Sequence, residues 1–168
     1  QYSFKDESVS TNGFSISLAT QWIENPIDEY DKQDCERKAF IRLAEKLKKN
    51  YPRLPMCLLV DGLYPYQGFF DTCQTNEWKY IATFKDGCLP TVWREIEDLL
   101  PSVPDNHRRE KRYQGKTTIE QKFRWVNDID YNGHCLHWIE CLETIEDEKG
   151  QHKRHLSFLS LHFCLVKN

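Results

Sequence analysis

PMCLLVDGLYPYQGFF, residues 55–70, is the stretch on which the reading of the fold turns. Met56 to Val60 form an unbroken apolar run, and it stops on Asp61 and Gly62. A short continuous run of this kind reads as a central strand covered on both faces, because a half-solvated strand would alternate. Pro52 and Pro55 end whatever precedes it, since proline removes a backbone donor and clashes with a continuing helix. Downstream, YQGFFDTCQTN reads as a short helix and WKYIATF as a strand of aromatic and β-branched residues. LPTVWREIEDLL then reads as a helix opened at Pro90 and closed by Pro101.

Upstream, FSISLATQWI sets Phe14, Ile16 and Leu18 against Ser15, Ser17 and Ala19, the two-residue period of a half-buried strand. DKQDCERKAFIRLAEKLKKNY places Cys35, Ala39, Leu43 and Leu47 at helical spacing, with Asp31 near its start and Lys46, Lys48 and Lys49 near its end. The lysines there complement the helix dipole. Residues 1–13 read as polar and irregular, ending in the turn signal Asn12-Gly13. Residues 14–100 thus spell β-α-β-α-β-α, the order of an α/β layer with parallel strands joined by right-handed crossovers.

Beyond Pro101 the pattern changes. NHRREKR is polar and basic and reads as a linker between two sheets, after which the period becomes two. TTIEQKFRWVNDIDY, HCLHWIECLETI and HKRHLSFLSLHFCLV read as antiparallel strands joined at Asn132-Gly133 and near Lys149-Gly150. The expected organisation is a core over 12–100 and a β-rich region over 101–168.

The chain has 168 residues, a length suited to one hydrophobic core, and its 39% hydrophobic and 29% charged content can build one. The net charge of −3 excludes a globally basic nucleic-acid binder and leaves only local patches for that role. Seven cysteines without CxxC pairs read as reduced thiols of a cytoplasmic protein. No apolar run approaches the roughly 20 residues that span a bilayer, so no membrane role is expected. The sequence begins at Gln1 rather than Met, which fits a segment of a longer product.

In open α/β sheets ligands gather at the carboxyl ends of strands, which is where Asp61 stands. A carboxylate there must meet a cation or hydrogen-bond donors, and a divalent metal is one such partner. Capping of the following turn or helix is the other reading of the same position.

The tracts FSISLATQWIENP, DKQDCERKAFIRLAEKLKKNYPRLPMCLLVDGLYPYQGFFDTCQTNEWKYIATFKDGCLPTVWREIE and KFRWVNDIDY with HCLHWIECLET resemble the catalytic domain of bacterial insertion-sequence transposases of the DDE class. The resemblance spans about residues 12–145 and is most specific over 31–97. It implies an RNase H-like mixed sheet with flanking helices, interrupted by a β-rich insertion. It also implies two aspartates and a glutamate holding Mg²⁺ (or Mn²⁺) for cleavage and strand transfer at transposon DNA ends, usually within an assembly. Asp61 corresponds to the second aspartate of that family. The first aspartate has no counterpart, since only Asp6 and Glu7 precede the FSISLAT strand. The glutamate has none either, because the LSFLSLHFCLV tract contains no acid. Glu140 and Glu143, three apart on a strand, fall on opposite faces and make poor substitutes. The expectation is a transposase segment without a complete catalytic centre. The alternative is a non-catalytic nucleic-acid- or protein-binding domain of the same fold.

For DNA contacts the candidates are Lys85, which ends the strand beside that of Asp61, and Arg109, Lys111 and Arg112 of the basic stretch. A zinc site from His134, Cys135, His137, Cys141, His152 and His155 is not expected, since 134 and 137 point to opposite sides of a strand and no pair has helical HxxxH or CxxC spacing. A nucleophilic hydrolase is not expected either: there is no GxSxG elbow, and Cys88 has no identifiable partner histidine. Tyr64, Tyr66, Trp78, Trp93, Trp125 and Trp138 read as packing residues.

Overall fold

A computed structural model describes residues 4–11, 14–22, 32–148 and 150–161. It is mixed α/β, with three α-helices, a two-stranded sheet and a six-stranded mixed sheet among the described residues. Two compact units divide the chain, Gln1–Met56 with Asp71–Trp78, and Cys57–Phe70 with Lys79–Asn168.

In the first unit β1 (Phe4–Thr11) and β2 (Phe14–Trp22) pair antiparallel across the Asn12-Gly13 position. Where the sequence suggests an irregular start, eight residues of strand are found, because a neighbouring strand supplies ladder partners that Lys5, Asp6 and Glu7 do not advertise by propensity. Helix α1 (Lys32–Asn50) lies against this hairpin. Its apolar stripe of Ala39, Phe40, Leu43, Ala44 and Leu47 is buried. Two of its cations hold carbonyls of β2: Arg42 Nη2 donates to Trp22 O at 3.1 Å, and Lys46 Nζ to Thr20 O at 3.0 Å. Lys48 Nζ donates to Asn76 O at 3.2 Å. Two of the three helix-end lysines therefore bridge neighbouring backbone in addition to facing the negative end of the dipole.

The second unit is the larger sheet, in the order β3-β4-β8-β7-β6-β5. β3 (Cys57–Val60) and β4 (Lys79–Thr83) are its one parallel pair, linked through α2 (Gln67–Asn76). After α3 (Pro90–Leu99) the chain runs as an antiparallel meander through β5 (His107–Gln114), β6 (Thr117–Tyr131), β7 (His134–Asp147) and β8 (Gly150–Ser160). The β6–β7 turn is made by Asn132 and Gly133, at φ of 51° and 85°, as a tight two-residue hairpin requires.

Three features differ from the sequence reading. β2 pairs with β1 and not with β3, so the described residues contain one parallel crossover. β3 is an edge strand of its sheet, and Leu59 is 77% exposed; its greasy composition does not reflect cover on both faces. The basic stretch 107–114 is itself a strand, and β8 returns to pair with β4, so the β-rich half continues the sheet that carries Asp61. The ladder Ile81↔Ser160, Ala82↔Leu159 and Thr83↔Phe158 makes that junction.

The buried face of this sheet carries Leu58, Tyr80, Ala82, Leu159, Trp138, Leu136, Val126 and Ile129. Phe69 and Phe70 at the start of α2 meet the Tyr80 ring at 5.2 and 5.5 Å between centroids. From α3, Trp93 stacks on Phe84 at 4.6 Å and meets Trp138 edge-on at 6.0 Å. These aromatic contacts hold the first turn of α2 and seat α3 on the sheet.

Candidate functional site

Asp61 comes directly after β3 and is exposed, with Gly62 buried behind it. The two parallel strands end side by side, because Val60 pairs with Ala82, and this brings the Asp61-Gly62 turn next to Lys85. The Lys85 stem lies across Gly62: a methyl group added there would come within 2.9 Å of Lys85 Cδ. Cys88 Sγ donates to Gly62 O at 3.4 Å, and Trp93 Nε1 donates to Lys85 O at 3.3 Å. Asp61, Lys85 and Cys88 thus share one corner of the sheet. Asp61 Oδ1 accepts the Leu63 N–H at 3.1 Å, the local turn-capping bond of the second reading. One carboxylate oxygen therefore holds the turn, and Asp61 joins no group of three metal-ligating side chains among the described residues.

The other proposed DNA contacts sit on the edge strand β5, with Arg109 and Lys111 on one face and Arg112 on the other. Arg109 Nε pairs with Glu120 at 2.8 Å, Arg112 Nη2 with Glu110 at 2.9 Å, and Arg108 Nη2 with Glu110 at 2.8 Å. Lys111 Nζ stands 5.4 Å from the centre of the Tyr113 ring. The structure brings Lys85 beside Asp61, while Arg109, Lys111 and Arg112 form a separate group at the opposite edge of the sheet.

These pairs have a consequence for pH. The hydrogen bond from Arg112, with the charges of Arg108 and Arg112, holds the Glu110 carboxyl below its ordinary value, against a smaller opposing effect of desolvation. For Glu120, desolvation raises the value, and the Arg109 hydrogen bond with the Arg109 and Lys122 charges brings it below the ordinary one. A carboxylate depressed in the folded state stabilises fully above its unfolded pKa, about 4.3 for Glu, and loses that contribution as pH falls through the folded value. Urea midpoints are expected to be flat from pH 7 to about 5 with respect to these two groups and to drop below about 4. In Glu110→Gln/Glu120→Gln that acid-limb loss is smaller, and an unchanged acid limb would contradict the pairing.

Glu140 and Glu143 do lie on opposite faces. Glu140, 5% exposed, accepts from Arg124 Nε at 2.6 Å and from His155 Nε2 at 2.7 Å. Glu143 accepts from Gln121 at 2.8 Å and faces Arg154 at 3.8 Å. Neither stands at the Asp61 corner: both belong to central rows of the meander.

A second constellation lies outside the HxxxH and CxxC spacings. β6 carries a bulge between Val126 and Ile129, and Asp128 within it has φ of 60°. The extra residue turns Asp128 towards β7, where Cys135 and His137, two apart, share a face. Cys135 Sγ donates to Asp128 Oδ1 at 3.4 Å, and the Asp128 backbone N–H donates to His137 Nδ1 at 3.2 Å. One ligand atom from each of the three lies within 4.8 Å of those of the other two, a geometry that suits a metal ion. Burial, the hydrogen bond to Asp128, and the charges of Asp128 and Asp130 push the Cys135 thiol up. His134 does point the other way, towards α2: the Gln67 amide donates to its Nε2 at 2.9 Å, and Phe70 lies 5.7 Å from its ring. Opposite faces for 134 and 137 hold, and it is 135 and 137 that share one.

No protein-family model matches the chain, and no curated protein matches it in sequence. Among the described residues, no helix is long and apolar enough to cross a membrane.

Proposed function

We propose that this chain is part of a DDE-class transposase with an RNase H-like core, in which Asp61 is a carboxylate ligand for Mg²⁺ or Mn²⁺. The observation that carries the reading is the corner itself: an exposed aspartate at the carboxyl end of a parallel β-α-β pair, with a lysine stem laid over the next glycine. Hard oxygen donors suit Mg²⁺, and a paired-metal centre activates a nucleophile on one side of a phosphodiester while stabilising the leaving oxygen on the other. Asp61 supplies one ligand for such a centre. Lys85 contributes a cation beside it that neutralises a DNA phosphate, and Arg109, Lys111 and Arg112 extend phosphate contacts on another edge.

One carboxylate does not hold two ions, so this chain by itself leaves supercoiled plasmid intact in Mg²⁺. Thermal unfolding with and without millimolar Mn²⁺ tests the ligand role. A ligand that binds the native state raises the transition, and Asp61→Asn is expected to lose that rise. Plasmid nicking that disappears in Asp61→Ala would show a more complete centre than proposed.

The hydrogen bond from Leu63 N–H to Asp61 Oδ1 favours a second reading, a non-catalytic nucleic-acid- or protein-binding domain in which Asp61 caps a turn. In that case Mn²⁺ leaves the transition unmoved while DNA binding persists and weakens with salt.

A further inference from the structure

The β6 bulge builds a different kind of site from the Asp61 corner. We infer that Asp128, Cys135 and His137 form a binding site for a borderline divalent transition-metal cation, with Zn²⁺ the fitting ion and Mg²⁺ the unfitting one. This inference is independent of the transposase reading.

Three observations carry it. The first is the donor set. One sulfur, one imidazole nitrogen and one carboxylate oxygen converge within 4.8 Å, which matches the S, N and O donors that Zn²⁺ takes and the hard-oxygen preference of Mg²⁺ does not. The second is the state of the histidine. His137 is 3% exposed, and the Asp128 N–H makes its Nδ1 an acceptor, so the nitrogen turned to the bulge is the one bearing a lone pair. An ion at Nδ1 takes the place of that 3.2 Å hydrogen bond and leaves Nε2 carrying the ring proton. The third is charge and access. Cys135 and Asp128 are exposed, so an ion reaches them from solvent, and Asp130 stands directly across the ladder from Cys135. The carboxylates of Asp128 and Asp130 add negative charge beside the cluster, which favours a cation there.

Binding proceeds by loss of the Cys135 S–H proton to solvent and formation of metal–sulfur, metal–nitrogen and metal–oxygen bonds, with no change of oxidation state. Three protein ligands leave a fourth tetrahedral position open to water. The site would pin the bulge, whose Asp128 otherwise holds a left-handed backbone at some conformational cost.

Cobalt(II) tests this directly, because it takes zinc's place and reports its ligands by absorption. Co²⁺ titrated into the reduced chain is expected to give thiolate-to-cobalt charge transfer in the near ultraviolet and intense tetrahedral visible bands. Both saturate at one ion per chain and disappear when Zn²⁺ is added. Cys135→Ser is expected to abolish the charge transfer and Asp128→Asn to weaken binding; both positions are exposed, so the variants fold, as circular dichroism verifies. Cys57→Ser, at an exposed cysteine on β3, is expected to leave the spectrum unchanged. No charge transfer, its survival in Cys135→Ser, or its loss in Cys57→Ser overturns the inference.

Discussion

Trp138→Ala is expected to destabilise the protein by about 3–5 kcal/mol, the range for emptying a large aromatic site in a packed core. Trp138 is 1% exposed, and its Nε1 donates to Ser157 Oγ at 2.8 Å. Truncation removes the ring, opens a cavity and leaves a buried hydroxyl without its donor. The damage also reaches the candidate site. Trp93 rests edge-on against Trp138, stacks on Phe84 and holds the Lys85 carbonyl, so the turn carrying Lys85 loses its support. Urea unfolding of Trp138→Ala and Leu59→Ala gives the comparison. Leu59, largely exposed on β3, is expected to change stability by no more than about 0.5 kcal/mol. A Trp138→Ala loss below about 1 kcal/mol would contradict the packing described here.

The second large effect belongs to the buried carboxylate of Glu140. Arg124→Met, which keeps the aliphatic stem and removes the charge, leaves Glu140 with the His155 Nε2 contact as its remaining polar partner there. Breaking a fully buried pair costs 3–5 kcal/mol as a rule; Arg124 and His155 are each 49% exposed, which reduces the expected loss to about 1–3 kcal/mol. The charge is what costs, so Arg124→Met/Glu140→Leu is expected to recover most of the stability, since an uncompensated carboxylate is then no longer buried. A double-mutant cycle measured by denaturant titration gives the coupling. Additive losses would show that Arg124 and Glu140 do not act together.

Much of the fold is legible in local pattern. The helices over 32–50, 67–76 and 90–99 announce themselves through apolar spacing and proline boundaries, and the three long meander strands through their two-residue period and Asn-Gly turn. Pairing is not legible, because periodicity fixes which face a residue takes and says nothing about the neighbouring strand. MCLLV illustrates the limit: its composition is that of a covered strand, yet β3 is an edge. The run HRREKRYQ looks like a linker by charge, and is a strand because β6 supplies ladder partners from Arg124 to Thr117 along its whole length; Arg108, Arg109 and Arg112 each find a carboxylate on it or on the adjacent strand.

The same distinction governs the sites. The position of Asp61 and the proximity of Lys85 follow from strand ends, which the sequence marks through Asp-Gly and through WKYIATFK. The Asp128–Cys135–His137 group depends on one extra residue in β6, and nothing in NDID foretells where the register shifts. The signal in the sequence is Cys-Leu-His, two candidate ligands on one face of a strand, with an aspartate across the preceding turn.

The central claim is that Asp61 binds a hard divalent cation at the carboxyl edge of β3, and amide NMR with Mn²⁺ tests it at the residue in question. Paramagnetic broadening should begin at Asp61, Gly62 and Leu63, spread to Lys85, and vanish in Asp61→Asn. Broadening centred elsewhere, or unchanged in that variant, would contradict the account.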